Sequence, residues 1–251
     1  MTGSKARGLL WLVLVIAAAA AMVPGLPWIA RHVPWAMERA LAGIVGGSPA
    51  GAECGSTQAA SKQAFDRLVQ RIYPLDAQDG RLPISVTVIH GKAVNAYAAL
   101  GANIYVLDGL VAQAQTPEEL AGVLAHEIEH VRNRHIIQGM AVNLFTLGAF
   151  GGADPSAGSR LAYLLLTMKF SRQQEEEADA LGLERLRRAQ VDAAGFRAFF
   201  ERAQKLPEPP AFVSSHPASA QRAELAARYR DYPVRPVLNA ADWQALKGIC
   251  R

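Results

Sequence analysis

Residues 116–135 read TPEELAGVLAHEIEHVRNRH, and the reading of this stretch organises everything around it. Thr116 is a helix N-cap residue, Pro117 suits the first helical position, and Glu119 at the third completes a capping box. Leu120, Val123, Leu124, Ile128 and Val131 then recur at helical spacing. His126 and His130 are one turn apart, so both imidazoles leave the same helix face. Ring nitrogens in that register reach one zinc ion at about 2.0–2.1 Å each. Glu127 lies beside the first histidine, placed to touch a water on the metal rather than the metal, which is the HExxH arrangement. Taken alone, the pentapeptide also reads as a solvated helix rich in His and Glu. The cap, the apolar stripe and a glutamate-rich helix downstream favour zinc.

The chain has 251 residues, 51% of them apolar, and a formal net charge of +4. That length suits one domain with an extension and is ample for a buried core. The arginines are scattered beside Glu and Asp rather than gathered in a run. With few aromatics to interleave, this pattern argues against nucleic-acid binding. It reads as a solvated helical surface, compatible with mild attraction to an anionic membrane.

Lys5 and Arg7 precede an uncharged tract, 8–30. It is either a retained membrane anchor or the apolar core of a signal peptide. Pro24 and Pro27 shorten its helix, which suits a signal, whereas Trp28 and Trp35 suit a membrane interface. A retained anchor is the favoured reading. Positive charge before the tract keeps the N-terminus in the cytoplasm. The domain is then expected in the periplasm, anchored to the inner membrane or exported after cleavage. Residues 1–47 are read as the signal or anchor segment with its linker, and 54–251 as the catalytic domain. The two cysteines, Cys54 and Cys250, bracket that domain. An even pair in an exported protein implies a disulfide. It would contribute about 4–5 kcal/mol on the chain-entropy account. Two free buried thiols are the alternative.

Residues 31–44 have helical character, and 46–51 form a Gly-rich linker. Residues 57–73 fit an amphipathic helix with Phe65, Leu68, Val69 and Ile72 inward, stopped by Pro74. Alternation over 84–90 gives a strand, with further strands over 93–100 and 103–107. These predict a small antiparallel sheet just before the HExxH helix, in an α+β, mostly helical domain. Residues 136–150 and 161–170 are apolar and read as core helices or a lid; a membrane-dipping hairpin is the alternative. Each is shorter than the roughly 20 residues of a spanning helix. A helix over 171–190 follows, then one over 196–205. A last helix opens at His216-Pro217 and runs to about 229, and Trp243, Leu246 and Ile249 pack back on the body.

A catalytic zinc needs a third protein ligand. His135 is expected to point away from His126, as a surface or C-terminal capping residue. The better source is Arg172–Asp179, RQQEEEAD. Glu175 and Asp179 share a helix face there, so one can bind zinc while the other bonds the far nitrogen of a ligating histidine.

With HEIEHVRNRH followed by SRQQEEEADALGL, the chain resembles the gluzincin metallopeptidases of the HtpX, BepA and Ste-type CAAX protease group, whose signature is HExxH plus a later ExxAD helix. The resemblance covers about 65–229 and implies a zincin-like (mini-gluzincin) domain. It implies zinc ligands His126, His130 and Glu175, catalytic Glu127, and Asp179 behind the ligands. Asn95-Ala96-Tyr97-Ala98, with Gly101 and Asn103-Ile104-Tyr105-Val106, resembles the family's substrate-receiving edge strand, so Asn95 and Ala96 are expected at the substrate. Leu100-Gly101-Ala102 replaces the family's Pro-Gly-Gly. His216-Pro217 with Arg222 resembles the family's HPxxxxR element. His216 is expected as an oxyanion donor or an additional, regulatory zinc ligand, oriented by Arg222; an ordinary helix-start residue is the alternative. Neither the multi-span membrane architecture of some members nor the helical-repeat domain of others is expected from this sequence.

The expected activity is zinc-dependent endopeptidase cleavage of unfolded or misfolded envelope proteins. It would use one Zn²⁺ per chain, with Glu127 accepting the proton of the zinc-bound water. A membrane-tethered, zinc-stabilised chaperone or binding module, closed by a fourth ligand such as His216, is the competing expectation. A prenyl-protein protease is disfavoured, because too few spanning helices are present.

Overall fold

Every residue from 119 to 131 of the HExxH helix is buried, so this helix must be packed on all sides. The computed structural model describes residues 23–45, 51–55, 58–74, 82, 84–150, 169–216 and 222–250, with the side chains of 45, 146–150 and 223 left out. A 3-10 turn at Val23–Gly25 leads to α1 (Leu26–Ala30), α2 (Trp35–Val45) and α3 (Ala59–Ile72). The strands β1 (Ser85–Ile89), β2 (Ala96–Ala99) and β3 (Asn103–Leu107) follow, then α4 (Asp108–Gln113), α5 (Pro117–Arg132) and α6 (His135–Phe150). The described chain ends with α7 (Arg172–Arg188), α8 (Ala194–Gln204), α9 (Ala211–Ser215), α10 (Arg222–Ala227) and α11 (Ala240–Leu246). The class is α+β, mostly helical, as predicted and consistent with a zincin-like domain.

Helix α5 is the HExxH helix, and α7, α8, β2, α3 and α6 all pack against it. Thr116 caps it, its hydroxyl accepting the Glu119 amide at 3.2 Å. The return bond of the expected box goes one residue further back. Glu119 accepts the Gln115 amide at 2.9 Å, and Arg202 holds the same carboxylate through two bonds of 2.5 and 2.7 Å. Close packing on the other side depends on Gly182 of α7. A Cβ there would stand 3.2 Å from the His126 amide nitrogen and 3.3 Å from the Ala125 carbonyl carbon. With no side chain at 182, the two backbones approach directly.

The sheet corrects one expectation: it is mixed, in the order β1-β3-β2. β2 and β3 are antiparallel, whereas β1 and β3 are parallel. The connection 90–95 carries the chain past the place beside β1 before β2 begins. The hairpin then returns β3 into the gap. Gly101 and Ala102 both take left-handed conformations in that turn, with φ of 80° and 67°. Glycine does so freely; Ala102 does so at a cost of about 1–2 kcal/mol. The second strand is also shorter than the expected 93–100. β2 is left as an edge strand with its unpaired side toward α5.

The helix expected over 31–44 begins only at Trp35, after a turn that closes α1 and places Pro34 at the helix start. Glu38 of α2 accepts the Gly101 amide at 3.0 Å and pairs with Arg134 at 3.1 Å, so α2 is fastened to the hairpin and to the end of α5. Cys54 and Cys250 form the expected disulfide, with Cα atoms 4.9 Å apart. Trp243, Leu246 and Ile249 are buried as expected. Ile136, Ile137 and Met140 of α6 are buried too, and α1 packs against that helix. Most of the 8–30 tract, the linker residues 46–50 and 151–168 lie outside the described residues. Among the described residues no helix is long and apolar enough to cross a membrane.

Candidate metal centre

α5 presents His126 and His130, and α7 presents Glu175 and Asp179. α7 opens on a full capping box, in which Ser171 accepts the Gln174 amide at 3.3 Å and Gln174 accepts the Ser171 amide at 3.0 Å. Glu175 and Asp179 then face the same way, one turn apart, and both are buried. His126 Nε2 lies 3.0 Å from His130 Nε2 and 3.7 Å from Glu175 Oε2, while His130 Nε2 lies 3.4 Å from Glu175 Oε1. Donors about 2.0–2.1 Å from a shared tetrahedral zinc stand roughly 3.3 Å apart, so the two imidazoles and the carboxylate fit that ion.

Asp179 does what its partner carboxylate does not: its Oδ1 is 2.9 Å from His126 Nδ1, the nitrogen turned away from the cluster. A carboxylate there fixes the tautomer and makes Nε2 the free donor. Arg222 bridges both acids, with Nε donating to Asp179 at 2.5 Å and Nη2 to Glu175 at 3.0 Å. Its Nη1 donates to the His216 carbonyl at 3.3 Å. Arg222 therefore orients the carboxylates at least as much as His216. Burial alone would raise the Glu175 carboxyl. The bonds from His130 and His216, with the charge of His126 and His216, outweigh burial and hold it far below the usual carboxylate range.

His216 is at the centre. It terminates α9, and Phe212 of the same helix stacks on its ring at 4.7 Å. The helix expected to open there resumes at Arg222, and 217–221 lie outside the described residues. Its Nδ1 is 3.2 Å from His126 Nε2 and 3.0 Å from Glu175 Oε1. Ligand atoms of His126, His130, Glu175 and His216 all lie within 4.8 Å of one another. Its other nitrogen lies 3.4 Å from Glu127 Oε1. Burial depresses His216, but the Glu127 and Glu175 carboxylates more than compensate and raise it. Burial depresses His130 strongly.

Glu127 is fully buried, and burial raises its carboxyl above the usual range. Oε2 accepts the Ala98 amide of β2 at 2.8 Å, while Oε1 is buried without a hydrogen-bond partner. The carboxylate thus stands between the edge strand and the donor cluster. Asn95 and Ala96 lie at the start of that strand. The Ala96 side chain is fully buried, and the Asn95 side-chain oxygen is buried without a hydrogen-bond partner.

His135 corrects the sequence reading. It is buried, with Nδ1 3.0 Å from His130 Nδ1 and Nε2 3.4 Å from Glu177 Oε2. A continuous helix would have sent it outward. Arg134 instead takes φ 64° and turns the chain back at the α5–α6 junction. His130 thereby has a partner on its far nitrogen, as His126 has in Asp179. Phe170 was also missed: just before the Ser171 cap, it stacks on the His130 ring at 3.8 Å. Its place one residue ahead of a capping box was the available signal, since an apolar residue there commonly packs inward.

Residues 59–230 match the family model "Peptidase family M48". Metalloprotease LoiP of Escherichia coli K12 is 34% identical over 154 residues, covering 57% of this chain and 61% of the relative. The beta-barrel assembly-enhancing protease of the same strain is 31% identical over 185 residues, covering 64% of this chain and 37% of that one. Mitochondrial metalloendopeptidase OMA1 of Arabidopsis thaliana is 30% identical over 149 residues, covering 57% and 31%. The chain thus spans less than two thirds of the length of each. With the family model matched over more than half of its residues, and a buried His126–His130–Glu175 donor set that fits zinc, the chain belongs to peptidase family M48, the zinc metallopeptidases.

Proposed function

We propose that this chain is an endopeptidase of the cell envelope that cuts unfolded or misfolded polypeptides. The observation that carries the reading is the position of Glu127, one carboxylate oxygen on the β2 amide and the other unpartnered and directed at the donor cluster. His126, His130 and Glu175 would hold one zinc, with Asp179 and Arg222 fixing their orientation. Bound zinc supplies the positive charge that polarises a scissile carbonyl and acidifies water. Glu127 accepts the proton of the attacking water at Oε1 and passes it to the leaving amine. A carboxyl whose burial favours the protonated form suits that shuttle. An extended substrate adds to the free side of β2 near Asn95 and Ala96, where backbone pairing gives binding with little side-chain selection. That mode of binding suits unfolded chains.

The envelope location draws support from the disulfide, from the uncharged 8–30 tract and from relatives named for enhancing beta-barrel assembly. In this reading 1–47 anchor or export the chain, and 54–251 form the peptidase domain. His216 favours a second reading, a closed binding or chaperone module, because its Nδ1 sits where a substrate or water would approach.

Casein cleavage and zinc content of the full chain separate the two. Wild type is expected to carry about one zinc and to cut. Glu127→Gln should keep the zinc and lose about 10²–10⁴-fold in rate. His216→Ala should raise the rate if His216 closes the site, and lower it if His216 is an oxyanion donor. Zinc binding with no cleavage by wild type or His216→Ala establishes the binding module.

A further inference from the structure

At the C-terminal end of α5, past His130, α3, α5, α7 and residues 235–237 enclose an open cleft of about 1020 Å³. Six arginines line it: Arg67, Arg71, Arg132, Arg185, Arg188 and Arg235. Among the described residues two carboxylates do, Glu129 and Glu184, and both are engaged. Glu129 accepts Arg185 Nε at 2.7 Å, and Glu184 accepts Arg188 Nε at 2.9 Å. Arg67 turns to Asp242 of α11. Arg71 is left over, its Nε and Nη2 atoms buried without a hydrogen-bond partner. Arg235 adds an exposed guanidinium at the rim.

A buried guanidinium N–H with no acceptor costs about 1–3 kcal/mol, and such orphans in a polar cleft mark a missing ion or ligand. The planar fork of arginine matches the paired oxygens of phosphate and sulfate, which a lysine ammonium does not. The volume is at the upper end of small-ligand sites, larger than one oxyanion fills. We propose that this cleft binds a polyanion carrying two or more phosphate or sulfate groups. Glu129, Arg132 and Asn133 of α5 line it, so occupancy bears on the end of the helix that carries His130.

Calorimetric titration of the full chain in detergent micelles tests this, with inorganic phosphate and inositol hexasulfate as probes. Hexasulfate should bind one per chain, tighter than phosphate and more weakly as salt rises. Arg71→Ala should lose about 10-fold in affinity, the worth of one charge-assisted bond, and Arg235→Ala a smaller factor. Arg71→Lys should fall between wild type and alanine. Arg228→Ala, an exposed pair on Glu224 outside the cleft, should bind as wild type does. Doping the micelles with cardiolipin, which carries two phosphates, rather than phosphatidylcholine distinguishes the sources. Competition with hexasulfate identifies a lipid headgroup; its absence identifies a soluble anion. Equal affinity in wild type, Arg71→Ala and Arg235→Ala overturns the proposal, as does an equal loss in Arg228→Ala. Binding that emerges only in an Asp76→Ala/Asp79→Ala chain means the chain fills its own cleft, and overturns it too. Should Arg71→Ala fail to fold, Arg235→Ala and Arg71→Lys carry the test.

Discussion

Along the middle of α5, His126, Glu127 and His130 meet Glu175, Asp179, His216 and Arg222, all of them buried; toward its C-terminal end, Glu129 and Arg132 border an open cleft crowded with guanidinium groups. The enclosed side is matched charge by charge. Arg222 spans two carboxylates, each imidazole of α5 has a partner on its far nitrogen, and the one orphaned oxygen belongs to Glu127. The open side sets six arginines against two carboxylates among the described residues, and Arg71 Nε and Nη2 are buried there without a hydrogen-bond partner. One helix thus separates a pocket built for a cation from a cleft in cationic excess.

The largest effect that would break this contrast is on stability. Glu129→Gln leaves the Arg185 guanidinium buried against an amide, and unpairing such a charge costs about 3–5 kcal/mol. Denaturant melts should show that loss, with zinc content unchanged in the folded fraction. Next come the partners of the far ring nitrogens. Asp179→Asn should weaken zinc binding about 10–100-fold, as loss of such a partner does. His135→Phe should weaken it less, because Glu177, which His135 contacts, is half exposed at 45% of its side-chain surface. Competition with a chelating dye measures both, and an effect of His135→Phe equal to that of Asp179→Asn would dissolve the distinction. The smallest effect lies at the rim of the cleft. The bond from Arg187 holds the Glu184 carboxyl down to about 2. Its contribution is therefore complete above the ordinary carboxylate range and fades as pH falls from about 4.5 toward 2. Solvent screening keeps it below about 1 kcal/mol. Acid melts of Glu184→Gln should differ from wild type only by that amount, and the difference should vanish at the acid end.

What could be read without coordinates was what local spacing encodes. Thr116 starts its helix where its cap predicts, the second helix begins at 171–172 as expected, and the one-turn intervals of His126 with His130, and of Glu175 with Asp179, bring four side chains to one place. The sheet order was not legible, because alternation in 84–90 and 103–107 carries no information on which neighbour each strand chooses. His135 was misread because a single backbone angle, at Arg134, reversed the direction that helical continuation implies. The arginine cleft was hidden for a related reason. Its six guanidinium groups come from four separate segments, and in each the arginine reads as an ordinary solvated helix or loop residue.

Gly182 acts as a gauge. It sets the separation of α7 from α5, and the candidate zinc donors stand on both sides of that gap. A methyl group at 182 would begin 3.2 Å from the His126 amide nitrogen, inside the usual contact distance of about 3.5–4.0 Å. To fit, the helices must part by a few tenths of an ångström, taking Glu175 away from His126 and His130. Metal sites hold their ligand distances to within about 0.2 Å. The spacing works like the jaws of a caliper, and the hydrogen atom that glycine carries in place of a side chain keeps them closed.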